Sequence, residues 1–166
     1  VSRYASGKTW RERKIVLHVA LWEPEIPPNT GNIARLCAAT GAELHLIGRL
    51  GFRLDDRSLR RAGLDYWDAV TIHRHDTLEA FDAALAGVRV YCLSTRGAVP
   101  YTAAHFQDGD CLLFGSESRG LPPSVLERNA ERTFRIPMPA GKVRSLNLAT
   151  AVGIVLYEAL RQTGAW

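Results

Sequence analysis

Three stretches set polar and charged side chains of catalytic type into an otherwise apolar chain: "PPNTGNIARLC" (27–37), "FGSESRGLP" (114–122) and "IPMPAGKVRSLNLAT" (136–150). The first places Asn29, Gly31, Asn32 and Arg35 on the opening turns of a helix. At 100° per residue, Asn32 and Arg35 share a stripe beside an apolar seam of Ile33, Leu36, Cys37 and Thr40. Asn29 can cap the helix, and Gly31 admits a close neighbour. Taken alone, the pattern favours a capped helix with a solvated arginine over a site. An arginine stays protonated up to a pKa above ~12, so its chemistry is to stabilise negative charge on an oxygen or to bridge a phosphate. The second stretch holds Glu117 and Arg119 between Gly115 and Gly120, either as a site or as a local ion pair in a glycine turn. In the third, Lys142 and Arg144 precede Ser145 and Asn147, which open the last helix.

Several other chemistries are excluded. No G-x-G-x-x-G follows the first strand, which argues against a dinucleotide fold. "GSESRG" has P-loop glycine spacing, but Leu121 and Pro122 stand where Lys and Ser/Thr are required. Cys37, Cys92 and Cys111 are odd in number and far apart, as expected of reduced thiols in a cytoplasmic protein. His73 and His75 alternate with Arg74, nothing nearby in sequence completes a coordination shell, and no metal is expected. No run reaches the ~18 apolar residues of a membrane span, and no signal peptide precedes the first strand.

The elements that must position these clusters follow from hydrophobic patterning. Strand-like runs fall at 15–22, 43–48, 69–74, 89–95, 110–116 and 133–138. Helical patterns lie near 30–41, 56–63, 77–86, 124–130 and 146–162. Nearly continuous Val, Ile and Leu in several strands predicts an α/β fold, with a parallel sheet of about six strands covered by helices on both faces. Such sheets bind ligands beyond the carboxyl ends of their strands, where all three clusters fall. The final helix, "LNLATAVGIVLYEAL", is apolar nearly all round. Gly153 in its middle costs about 1 kcal/mol against Ala, which suits a close helix crossing. One chain of 166 residues can hardly surround that helix, so a homodimer interface is expected. Residues 1–14 carry five basic residues against Glu12, and the formal net charge of the whole chain is +4. The expectation is a flexible basic arm over 1–14, with Tyr4 and Trp10 free to stack on bases, followed by one domain over 15–166. An inert tail fits the arm equally well. Arg57, Arg60 and Arg61 form a basic face at near-helical spacing, either a solvated face or a phosphate contact.

In order and spacing, "NTGNIAR", "LLFGSESRGLP" and "IPM…RSLNLATAV" resemble the three motifs of the SPOUT-class RNA ribose 2′-O-methyltransferases. The resemblance runs from Ile15 to about Gly164. It implies an α/β fold with a C-terminal trefoil knot, a homodimer, and S-adenosylmethionine as methyl donor with S-adenosylhomocysteine as product. Residue by residue, it places Leu93, Gly115, Ile136 and Ser145 at the cofactor. Glu117 and Asn147 would order the site, Asn29 and Arg35 would face the acceptor ribose, and Tyr157 would lie near the RNA. Lys142 and Arg144 would border the pocket. Within the class, "LWEPEIPPNTGNIARLCAATGAELHLI", "DDRSLRRAGLDYW" and "IVLYEALRQ" resemble the minimal enzymes acting on the wobble cytidine or uridine of tRNA, with leucine-accepting tRNAs as the expected substrates. Alternatives are the same chemistry at another tRNA position or on ribosomal RNA, and a non-catalytic RNA-binding or assembly factor on the same scaffold.

Overall fold

The computed structural model describes residues 14–55, 57, 61 and 66–166. The arm over 1–13 with Tyr4 and Trp10, most of the helix expected over 56–63, and Arg60 within it lie outside the described residues.

Seven strands form one sheet in the order β3-β2-β1-β6-β4-β7-β5. They are β1 (His18–Trp22), β2 (Glu43–Ile47), β3 (Ile72–His75), β4 (Val90–Leu93), β5 (Val99–Pro100), β6 (Cys111–Phe114) and β7 (Thr133–Arg135). Every neighbouring pair is parallel. The expected class stands, with one strand more than expected. β5 escapes a sequence reading because it is two residues long and contains a proline, which a sheet edge tolerates.

Four described helices cover the sheet: α1 (Pro27–Thr40), α2 (Leu78–Ala84), α3 (Pro123–Arg128) and α4 (Leu148–Thr163). Strand alternation sends Leu17, Val19 and Leu21 to one face, where they pack with Ile33, Ala34 and Cys37 of α1 and Val152, Val155 and Leu156 of α4. Ala20 and Ile47 point the other way, onto Phe81 of α2 and Val125 of α3. Strands covered on both sides can be apolar throughout, and all four residues of β6 are buried.

α1 starts without a side-chain cap of its own. Its flanking residue is Ile26, and Pro27 and Pro28 occupy the first two helical positions. Proline suits that place because its missing N–H would have no partner there. The helix ends at Gly41, whose φ of 77° lies in the left-handed region. α4 is capped by Asn147, whose side chain accepts from Thr150 N at 3.2 Å.

As expected, a single chain does not enclose α4 on every side. Leu148, Val152, Val155, Leu156, Ala159 and Leu160 are buried, while Tyr157 and Trp166 are 46% and 65% exposed with their rings 5.8 Å apart. Nor does the chain's own packing demand glycine at 153. A Cβ there would meet only Leu36 Cδ2, at 3.9 Å, an ordinary contact. Among the described residues, no helix is long and apolar enough to cross a membrane.

Candidate active site

The carboxyl ends of β4, β6 and β7 open into a cavity of about 710 Å³. Its apolar wall includes Leu93, Phe114, Leu121 and Ile136, and its polar rim includes Asn29, Glu117, Arg144, Ser145 and Asn147. Strand ends supply the wall, and the turns that follow them supply the rim, as in other parallel α/β sheets.

The loop after β6 is folded tightly on itself. Gly120 N donates to Ser116 O at 2.9 Å, and a Cβ on Gly115 would lie 2.1 Å from Gly120 C and 2.3 Å from Leu121 N. No side chain larger than hydrogen fits at Gly115 without unfolding the loop. Gly97 is similarly confined, with its Cβ position 2.4 Å from Phe134 C, where Ser94 N donates to Phe134 O at 2.9 Å.

Glu117 is the hub of the site. Its carboxylate accepts from Glu25 N at 2.7 Å, Ile26 N at 3.0 Å and Asn29 Nδ2 at 3.2 Å. It therefore supplies in trans the cap that α1 lacks, and a carboxylate at a helix N-terminus is favoured by the helix dipole. Asn29 is buried inside the first turn of α1, a correction to the expected cap. Its Oδ1 accepts from Asn147 Nδ2 at 2.9 Å. One hydrogen-bonded chain, Glu117–Asn29–Asn147, thus joins all three clusters.

The same loop is tied back to the segment before α1. Ser118 Oγ donates to Glu25 Oε1 at 2.6 Å, and that bond, first among several causes, holds the Glu25 carboxyl below its usual range. Arg119 pairs with Glu23 at 2.7 Å and lies over the Trp22 ring at 5.1 Å. Glu117 and Arg119 are therefore not a local ion pair; each reaches a different residue of the β1–α1 connection. Glu23 has a φ of 46°, a left-handed conformation that non-glycine residues seldom adopt. Glu23 and Glu25 were missed in the sequence. Their signal was two carboxylates flanking a proline in "WEPE", just past the end of the first strand.

Leu93, Gly115, Ile136, Ser145, Glu117, Asn29, Asn147 and Arg144 thus all border one cavity. The other candidate residues lie elsewhere. Arg35 is exposed on α1, with its guanidinium 5.2 Å from the Tyr66 ring centroid. Tyr157 is exposed on α4. Lys142, Arg57 and Arg61 are exposed and do not line the cavity.

The sheet gathers the histidines in a way that their spacing does not show. Parallel register brings His73 and His75 of β3 beside His18, Glu43 and His45, residues too distant in sequence to be linked by spacing. His18 Nδ1 lies 3.0 Å from His45 Nε2, and His45 Nδ1 lies 2.9 Å from His75 Nε2. The His45 imidazole is pushed down to about 3, by burial first and then by His73, His18 and His75. Burial likewise lowers His18 and His75.

The fold is shared with solved RNA methyltransferases. The SpoU rRNA Methylase family matches residues 16–157, and the chain belongs to that family. A tRNA (cytidine(34)-2'-O)-methyltransferase from Escherichia coli (strain K12) is 51% identical over 150 residues, covering 90% of this chain and 95% of that protein. A solved structure described as giving structural insights into the 2-OH methylation of C/U34 on tRNA superposes with a TM-score of 0.85 at 55% identity. It covers 89% of this chain and 96% of that one. An AdoMet-bound rRNA methyltransferase from Sinorhizobium meliloti superposes with a TM-score of 0.79 at 34% identity, over 93% of this chain and 60% of that one.

Proposed function

We propose that this chain is an S-adenosylmethionine-dependent tRNA methyltransferase acting on the ribose 2′-hydroxyl of nucleotide 34, a cytidine or uridine. The observation that carries the reading is the Glu117–Asn29–Asn147 chain, which fixes the start of α1, the loop after β6 and the start of α4 around one cavity. Support for the substrate comes from the two relatives named for this nucleotide, each matched over nearly its whole length. Leucine-accepting tRNAs follow from the motif resemblance.

The cavity suits the cofactor. Its apolar wall can cover an adenine ring while loop N–H and C=O groups read the ring edge. Ser116 Oγ is buried in the wall with no hydrogen-bond partner among the described residues, so a polar ligand has a group to satisfy there. S-adenosylmethionine supplies an electrophilic methyl group on a sulfonium; everything else falls to the protein. Leu93, Gly115, Ile136 and Ser145 would hold the ligand, with Glu117, Asn29 and Asn147 positioning the loops. Arg35 would stabilise negative charge developing on the acceptor oxygen, since a permanent cation cannot readily serve as a base.

Arg35 lies six residues along α1 from Asn29, about 9 Å up the axis and well round the helix. It does not face the cavity of its own chain. Assembly through the open side of α4, where Ile154, Tyr157 and Trp166 lie, would let a second copy supply it. Arg144 at the rim, with Lys142, Arg57 and Arg61, would meet RNA phosphates.

The test is mass-spectrometric mapping of total tRNA methylated in vitro by the purified chain. A new ribose methyl at nucleotide 34, retained in part on an isolated anticodon stem-loop, is the expected result. Methyl groups found only elsewhere in tRNA, or only in ribosomal RNA, would reject the substrate and leave the methyltransferase reading standing.

A further inference from the structure

Far from the cavity, the starting ends of β1 and β2 gather a second set of reactive side chains. None of them lines the cavity. His18 and Glu43 are register partners, as are His45 and His73, so strand alternation throws all four onto one face of the sheet. The His45 and His73 rings stack at 4.5 Å, and Phe81 of α2 closes the group from above, edge-on to His45 at 5.9 Å. His45 is 3% exposed. An apolar sheet face would ordinarily place Val or Ile at such positions.

One ligand atom from each of His18, Glu43 and His45 lies within 4.8 Å of those from the other two. In tetrahedral zinc sites, with bonds of about 2.0–2.1 Å, neighbouring ligand atoms stand ~3.4 Å apart. Here His18 Nδ1 is 3.0 Å from His45 Nε2 and 3.8 Å from Glu43 Oε2, which brackets that edge. His73 Nε2 lies 2.7 Å from the same Glu43 oxygen, outside that group of three, and would enter as a fourth ligand by a small side-chain rotation. His45 also has the outer partner that metal-bound imidazoles usually have. Its Nδ1 sits 2.9 Å from His75 Nε2, and donation from Nδ1 leaves the Nε2 lone pair aimed into the group. The His18 and Glu43 side chains are 19% and 31% exposed, so an ion can reach the group from solvent.

We propose that His18, Glu43 and His45, completed by His73, form a structural binding site for a zinc-class divalent cation that braces β1, β2 and β3. Three imidazoles with one carboxylate suit zinc and neighbouring transition ions, not the oxygen-seeking magnesium or calcium. The cation replaces the proton shared between His18 Nδ1 and His45 Nε2. His18, neutral with a single ring proton, then carries that proton on Nε2 instead of Nδ1, which frees the Nδ1 lone pair for the cation with no net proton released. Four protein ligands and no role at the cavity mark the site as structural.

The test uses the full chain without an affinity tag, stripped with EDTA and titrated with zinc chloride. Calorimetry should give one zinc per chain, the thermal midpoint should rise and fall back with chelator, and cobalt(II) should show the intense visible bands of four-coordinate geometry. Glu43→Gln and His18→Asn alter partly exposed residues, and both should fold normally in chelator while binding zinc at least tenfold more weakly. His75→Leu, which removes the outer partner, should weaken binding ~10- to 100-fold. Absence of saturable one-to-one uptake, or uptake unchanged in both Glu43→Gln and His18→Asn, would overturn the proposal and leave a purely hydrogen-bonded cluster.

Discussion

Asn147 donates from Nδ2 to Asn29 Oδ1 at 2.9 Å, across 118 positions of sequence. The other end of the Asn147 amide accepts from Thr150 N, and the other end of Asn29 donates to Glu117. Neither amide can turn over without breaking both of its bonds. Asn147→Asp keeps the α4 cap but sets a carboxylate against an acceptor. We expect nearly unchanged thermal stability with cofactor affinity reduced at least tenfold. Asn147→Ala loses the cap as well, at about 1 kcal/mol in denaturant unfolding. Equal affinity for S-adenosylhomocysteine in wild type and Asn147→Asp would show that the bridge does not shape the cavity.

Glu117→Gln tests the cap supplied in trans. The neutral amide retains an oxygen for only part of the work done by the carboxylate at Glu25 N, Ile26 N and Asn29 Nδ2. Hydrogen bonds to a charged group contribute about 1.5–3 kcal/mol, so urea unfolding should show a loss of about 1–3 kcal/mol.

Gly115→Ala should fold but fail to bind S-adenosylhomocysteine in calorimetry. The added Cβ collides with Gly120 and Leu121 backbone, so the loop itself must move rather than a ligand merely being crowded.

Arg35→Ala should reduce methyl transfer by at least ~10²-fold, the usual scale for losing a group that stabilises a developing oxyanion. Cofactor affinity and thermal midpoint should stay near wild type, because Arg35 is exposed and off the cavity. Comparable losses of binding and turnover would contradict the assigned role.

Assembly is tested at α4. Gly153→Ala has room against Leu36 in a single chain and gains up to ~1 kcal/mol of helix propensity, whereas Gly153→Leu and Tyr157→Asp should dissociate a dimer in sedimentation. A monomer that is fully active at micromolar concentration would dismiss the shared site.

The three thiols offer a check on the core. Burial pushes Cys37 up to about 12 and Cys92 up to about 11, and raises Cys111 as well. A disulfide reagent at mildly alkaline pH should therefore leave all three unlabelled in the native chain and label all three after denaturation.

What the sequence revealed, and what it hid, divides along physical lines. Hydrophobic periodicity is a local signal, and it located six of the strands and four of the helices to within a few residues. Asn29 was misread because Pro27 and Pro28 can themselves start a helix, which moves the first turn upstream of the asparagine. The partners of Glu117 lie 88 to 92 residues away, and the histidine cluster depends on the register of three strands. Neither relationship has a period that a linear reading can detect.

The first turn of α1 has no backbone N–H left to offer. Pro27 and Pro28 have no N–H, Glu25 and Ile26 give theirs to Glu117, and Asn29 and Thr30 give theirs to Ile26 O. Helix N-termini are common anion seats in α/β proteins, yet this one is already saturated by an anion of the protein's own. A polyanionic ligand must therefore be gripped by guanidinium and ammonium groups on long, solvated side chains. Such a grip releases condensed counterions and weakens steeply as ionic strength rises. With that helix end sealed, docking of a polynucleotide is expected to weaken as salt rises.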